Sequence, residues 1–132
     1  MVVFTGARDV LLLKRSDHPD FWQSVTGSLK WGETAPEAAR RELWEETGLT
    51  CGGIVDRDRE FSFEILDMWR YRYAPGVTRN LEHVFSLELE ERPSIRINPR
   101  EHLVFTWRPR AAAAGQVWSW TNRRAILDIV PA

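Results

Sequence analysis

Short strand patterns around one strongly marked helix, with a second helical pattern near the C-terminus, predict an α/β or α+β sandwich. Three observations carry the prediction. Residues 34–48 hold both ends of a helix: Thr34 and Glu37 form a capping box, and Gly48 is a C-terminal stop. Phe61, Phe63 and Ile65 alternate with Ser62 and Glu64, the two-residue period of a half-buried strand. Ala125, Ile126, Ile129 and Val130 form one apolar side of a tail helix over 121–130.

The remaining elements follow in chain order. Residues 1–4 and 10–15 read as two strands around a turn at Gly6. Residues 16–20 form a turn, because Pro19 cannot donate to a ladder. A short extended stretch over 21–26 leads into a loop over 27–32 with a glycine at each end. The helix then runs through APEAARRELWEET, with Pro36 in the first turn, where its missing N–H costs little. Residues 54–73 read as strands, 74–80 as a polar loop, and 82–89 and 103–107 as further strands. There is no internal repeat, low-complexity stretch or linker, so one domain over 1–132 is expected.

Composition excludes several function classes. Formal net charge is -1, from 18 Lys and Arg against 19 Asp and Glu, so the basic excess of a bulk nucleic-acid binder is missing. The single cysteine, Cys51, rules out an internal disulfide and a cysteine metal cluster. No apolar run reaches membrane-spanning length, and the first residues lack a secretion-signal pattern. A cytoplasmic protein with neither membrane nor nucleic-acid partners is therefore expected. The seven tryptophans divide between core bulk and stacking area for a flat ring.

The chemistry concentrates on the first helix. Glu42, Glu45 and Glu46 stand at i, i+3 and i+4, so their carboxylates share one side of it. Like charges at this spacing repel, and a hard divalent cation such as Mg²⁺ or Mn²⁺ would offset the repulsion. A solvated acidic face is the alternative. Arg41 is placed to pair with Glu45 or with Glu33. Gly27 allows a close backbone approach to a metal or a phosphate.

The ordered residues are Gly27, five others, Glu33, seven others, then Arg41-Glu42-Leu43-Trp44-Glu45-Glu46-Thr47-Gly48-Leu49. This pattern matches in full the signature box of the Nudix hydrolases, and the chain resembles that family. The resemblance implies an α/β/α sandwich around a mixed sheet. It also implies Mg²⁺, with Mn²⁺ as substitute, held by Glu42, Glu45 and Glu46 with help from the Gly27 carbonyl. Glu33 and Gly48 would support the site, and Arg41 would orient the carboxylates. Further segments are similar to a bacterial subfamily that releases pyrophosphate from 7,8-dihydroneopterin 3'-triphosphate in folate biosynthesis, a resemblance that implies a monomer. They are residues 17–49, FEI at 63–65, RYAPGVTRN at 72–80, EHL at 101–103 and SWTNRRAI at 119–126. The first strand, over 1–5, is shorter than is usual in that subfamily.

Within this resemblance Glu101 is the expected fourth acid, as base or metal ligand, with a solvated loop glutamate as the alternative. Arg79, Arg15, Arg72 and Lys30 are the expected partners of the triphosphate, with Arg79 foremost. Phe21, Trp22, Tyr73 and Trp120 are the expected stacking groups, and Asn80 and Ser24 add polar contacts. His102 is more readily a satisfied histidine than a base. Two other functions compete: a broad (deoxy)nucleoside triphosphate pyrophosphohydrolase acting on dATP, and a non-catalytic nucleotide-binding module. Retention of all four box glutamates argues against the latter.

Overall fold

The structure is a computed structural model and describes residues 1–27 and 29–132. Ser28, in the expected loop over 27–32, lies outside the described residues. The element order is β1 (Val2–Thr5), β2 (Asp9–Arg15), β3 (Trp22–Gln23), α1 (Ala35–Thr47), β4 (Ile54–Glu64), a 3₁₀ turn (Asp67–Arg72), β5 (Arg79–Leu89), β6 (His102–Pro109), α2 (Arg110–Gln116) and α3 (Trp120–Ile129).

The strands form one mixed sheet. Its order is β3-β2-β1-β5-β4, and β6 pairs with β2. β1 runs parallel to β5, with Val2 opposite Ser86, while the other pairings are antiparallel. Both faces are covered. Val2, Phe4, Val10, Leu12 and Val84 point to the α2–α3 side, against Ala113, Ala125, Ile126 and Val130. Val3, Leu11, Leu13 and Leu87 point the other way, against Val25 and Leu43 of α1. This is why VVF and VLLL read as unbroken apolar runs: a strand buried on both faces has no solvent side. Leu43 anchors α1 at 1% exposure, a burial worth about 1.5–3 kcal/mol. The architecture is thus the expected sandwich of helices on both faces of a mixed sheet.

Several boundaries differ from the sequence expectation. The stretch 54–73 is not strand throughout. β4 ends at Glu64, Ile65 turns into the core at 3% exposure, and the chain coils into the 3₁₀ turn. The Ile65 N–H instead donates to the Thr78 carbonyl at 2.8 Å. Arg79 and Asn80 belong to β5 rather than to a loop, opposite Glu64 and Phe63. α2 was not foreseen; RAAAAGQ is rich in the strongest helix former and follows Pro109 directly. α3 begins at Trp120, with the Ser119 hydroxyl accepting from the Asn122 N–H at 3.3 Å. Among the described residues no helix is long and apolar enough to cross a membrane.

Candidate active site

α1 places Glu42 on the wall of a cleft, with Glu45 and Glu46 one turn further along the helix. Its ends are set as the sequence predicts: the Thr34 hydroxyl accepts from the Glu37 N–H at 3.3 Å, and Gly48 takes the left-handed conformation, φ 77°. The three glutamates at i, i+3 and i+4 then meet three environments. Glu46 is buried, with its side chain 2% exposed; Glu42 is 12% exposed and Glu45 34%.

Arg41 organises this face. Its Nε and Nη2 donate to the two carboxylate oxygens of Glu33 at 2.7 and 2.9 Å, and its Nη1 donates to Glu45 Oε2 at 3.0 Å. Nη2 also lies 3.5 Å from Glu42 Oε1. Glu33 accepts in addition from the Lys30 N–H at 2.9 Å. The Arg41 fork therefore holds the Glu33 carboxyl far below the usual range, at about 2, and the Arg41 guanidinium is held more firmly charged in return. Burial acts oppositely on the other acids. It pushes Glu42 up to about 7 and Glu46 well above its ordinary value. Gly27 abuts Glu42 so closely that a β-carbon there would lie 2.3 Å from Glu42 Oε1.

β6 brings two more groups to Glu46. One ligand atom each from Glu46, Glu101 and His102 lie within 4.8 Å of one another. His102 Nε2 is 3.7 Å from Glu46 Oε1, but this contact is not an ion pair. Burial first, and Arg15 second, lower the imidazole to about 4, so it is neutral near pH 7. Its tautomer follows from Gln23. The Gln23 Oε1 accepts from Arg15 Nη1 at 3.0 Å and from Trp118 Nε1 at 3.5 Å. The Gln23 amide nitrogen therefore donates to His102 Nε2 at 3.2 Å, which leaves the proton on Nδ1. That Nδ1 is buried and has no hydrogen-bond partner among the described residues. Among the described residues Glu46 receives only the Thr26 N–H, at 3.3 Å, beside the neutral imidazole. A buried carboxylate so short of positive charge fits a divalent cation, which the oxygens of Glu46 and Glu101 could hold, while Gln23 and the Nδ1 proton occupy both nitrogens of His102.

The cleft beside this group has a volume of about 830 Å³. Of the residues expected at the site, Arg15, Gly27, Glu42, Arg72, Tyr73, Asn80 and Glu101 line it. Arg15 is forked onto Asp17, both contacts 2.7 Å, and lies 4.6 Å over the Trp69 ring. Arg72 reaches the same Asp17 at 3.4 Å. Asn80 donates to the Tyr73 hydroxyl at 3.1 Å.

Other expected residues are not on the cleft wall. Arg79 is tied along the ladder to Ser62 Oγ at 3.1 Å, because it sits in β5 and not in a free loop. Lys30 stands 3.8 Å from Glu45. Phe21 stacks on Trp118 with centroids 4.9 Å apart, behind the wall that Trp118 and Trp69 form. Trp22 packs on the α2–α3 core, and Trp120 meets Phe61 edge-on at 5.8 Å.

The sequence reading did not single out Trp69, Trp118, Gln23, Glu82 or Asn122, all of which line the cleft. Gln23 and Asn122 lie inside the resembling stretches 17–49 and 119–126, so a signal existed. Asn122 accepts from the Ser24 N–H and donates to its hydroxyl, both at 2.9 Å, joining α3 to the strand beside the acidic helix.

Comparison with known proteins agrees with this geometry. The family model described as NUDIX domain matches residues 1–128. The chain is 48% identical over 125 residues to the dihydroneopterin triphosphate diphosphatase of Escherichia coli K12, covering 92% of this chain and 82% of that protein. It is 39% identical over 131 residues to the Haemophilus influenzae protein of the same name, covering 96% and 82%. The solved structure of the E. coli dihydroneopterin triphosphate pyrophosphohydrolase superimposes with a TM-score of 0.93 at 46% identity, covering 98% of this chain and 90% of that one. With its acidic helix, Glu101 arriving just before β6 and a family match over nearly its whole length, this chain belongs to the Nudix hydrolase family.

Proposed function

We propose that this protein hydrolyses 7,8-dihydroneopterin 3'-triphosphate to the monophosphate and pyrophosphate, with Mg²⁺ as cofactor and Mn²⁺ as substitute. The observation that carries the reading is a cleft with Glu42, Arg15 and Arg72 on its wall and the buried Glu46 carboxylate beside it, one helical turn from Glu42. Relatives that carry this activity in their names support the choice of substrate.

Glu42, Glu45 and Glu46, with Glu101 and the Gly27 carbonyl, would hold the cation. Bound there, Mg²⁺ would neutralise phosphate charge and lower the pKa of a bound water. Arg41 keeps Glu45 and Glu33 in place, so the carboxylates need not reorganise during turnover. Arg15 and Arg72 face the triphosphate, and Asp17 fixes their orientation by drawing on both guanidinium groups. Trp69, Trp118 and Tyr73 offer ring faces for the flat pterin. Water adds to one phosphorus, a bridging P–O bond breaks, and the bridging oxygen leaves with one product. We assign to Glu101, the exposed acid of the group, the proton released by the attacking water.

The test compares kcat/KM for 7,8-dihydroneopterin triphosphate and dATP with Mg²⁺, identifying the phosphate product of each. Preference for the pterin with release of pyrophosphate is expected. Equal or faster turnover of dATP would make the protein a nucleotide hydrolase and overturn the assignment.

A further inference from the structure

We propose that Glu82 is the residue that selects the heterocycle, reading the adjacent N–H and NH₂ donors of a 2-amino-4-oxopyrimidine edge. The inference rests on the pterin reading above and adds to it the group that recognises the ring.

Glu82 lies on β5, half-buried, and lines the cleft. One carboxylate oxygen, Oε2, accepts from the Thr121 hydroxyl at 2.7 Å. That hydroxyl is itself 2.7 Å from Ser119 Oγ, and Thr121 is buried in the first turn of α3. The carboxylate is therefore pinned from one side. Its other oxygen, Oε1, has no hydrogen-bond partner among the described residues, and the one opposite charge that acts on the carboxylate among them is the buried Met1 ammonium, which also lines the cleft. An ionised carboxylate offers roughly four acceptor positions and no donor, so most of its capacity still faces the cleft.

The other acids of the wall are tied to arginines, grouped with Glu46 and His102, or exposed to solvent. Asp17 is forked to Arg15 and touched by Arg72, and Glu42 sits 3.5 Å from Arg41 and against Gly27. Glu101 belongs to the group with Glu46 and His102, and Glu64 is exposed opposite Arg79 at the end of the ladder. Beside Glu82, Asn122 is committed to Ser24, so it holds the wall and leaves base reading to its neighbour.

The chemistry of the substrate fits this acceptor. A pterin presents N3–H and the 2-amino group side by side, as guanine presents N1–H and its 2-amino group. Both donors can reach one carboxylate. Adenine presents a ring-nitrogen lone pair and a C–H at the matching positions, and a carboxylate repels the lone pair. A site built around such a pairing discriminates strongly, because the wrong ring covers the half-buried carboxylate and leaves it unpaired.

The experiment is Glu82→Gln, assayed with Mg²⁺ on 7,8-dihydroneopterin triphosphate, dGTP and dATP. The amide oxygen can still accept from Thr121, which preserves the tie to α3, while its NH₂ opposes the donors of the ring. The kcat/KM ratios of pterin to dATP and of dGTP to dATP are expected to fall roughly 10- to 100-fold, the range for a lost hydrogen bond to a charged group. Glu82→Ala, which leaves Thr121 its Ser119 partner, is expected to change the ratios in the same direction. Unchanged ratios in both variants overturn the inference. The two readings fail separately. Wild-type preference for the pterin with unmoved ratios defeats Glu82 alone. Absent pterin turnover with a collapsed dGTP-to-dATP ratio defeats the pterin and leaves Glu82 as the edge reader.

Discussion

Gly27→Ala isolates what the close packing of backbone against Glu42 does for activity. A β-carbon at position 27 would stand 2.3 Å from Glu42 Oε1, 2.5 Å from Cδ and 3.0 Å from Cγ. Ordinary contact requires the carboxylate to retreat by about 1 Å or more. The clashing atoms are the end of a side chain, and the backbone at Gly27 is not in a left-handed conformation. The fold can therefore yield at small cost, and the change in stability should stay within about 1 kcal/mol. The active geometry cannot yield so easily. A displacement of this size at a reacting centre costs on the order of 100-fold in rate. The assay is kcat/KM with Mg²⁺ for wild type, Gly27→Ala, Glu42→Gln and the double variant, with melting temperatures alongside. If position 27 acts through the Glu42 carboxylate, adding Gly27→Ala to Glu42→Gln should cost less than about threefold. Full activity in Gly27→Ala, or losses that simply multiply in the double variant, would refute the reasoning.

Stability of the metal-free protein should fall as pH rises. The folded state holds a proton on Glu42 up to about pH 7, whereas an ordinary glutamate releases it near 4.5, so the contribution is complete below 4.5 and lost through about 7. Glu46, raised by its own burial, acts in the same direction. His102, lowered to about 4, opposes this fall between about 4 and 6.5, so differential scanning should show the melting temperature dropping mainly above about 6.5, and Mg²⁺ should raise it more at about pH 8 than at about pH 5. Glu46→Gln should flatten the slope while removing most activity; a slope unchanged by that substitution would contradict the burial argument. Asn122→Ala removes both hydrogen bonds to Ser24 and leaves its N–H without that acceptor, so urea denaturation should show a loss of roughly 1–3 kcal/mol.

The local features of α1 were legible because they depend on residues a few positions apart. Thr34, Pro36 and Gly48 set its ends through short-range hydrogen bonding and backbone preference, and the structure keeps both ends. The Glu42, Glu45 and Glu46 spacing is a rotation about one axis, readable without any neighbour. The same holds for Arg41, which reaches Glu45 one turn away and Glu33 across a short loop. The runs VVF and VLLL announced buried strands, since their length and lack of polar interruption suit a sheet covered on both faces.

What one axis cannot show is which side of the helix another element covers. Glu46 is buried and Glu45 half-open only because α1 docks through Leu43 onto β1, β2 and β5. His102 meets Glu46 because β6 pairs with β2, bringing together residues 56 positions apart in the chain. Arg79 sits in a loop by composition but in β5 by pairing, where the ladder to β4 directs its side chain to Ser62 and away from the cleft. Phe21 and Trp118 are both aromatic, and nothing in either sequence neighbourhood says which will form the wall and which will stand behind it. Residue types and their local periods determined the helix, the strands and the acidic set. The packing of distant elements decided which charges lost water and which rings faced the cleft, because desolvation and side-chain convergence depend on every surface that closes around a group.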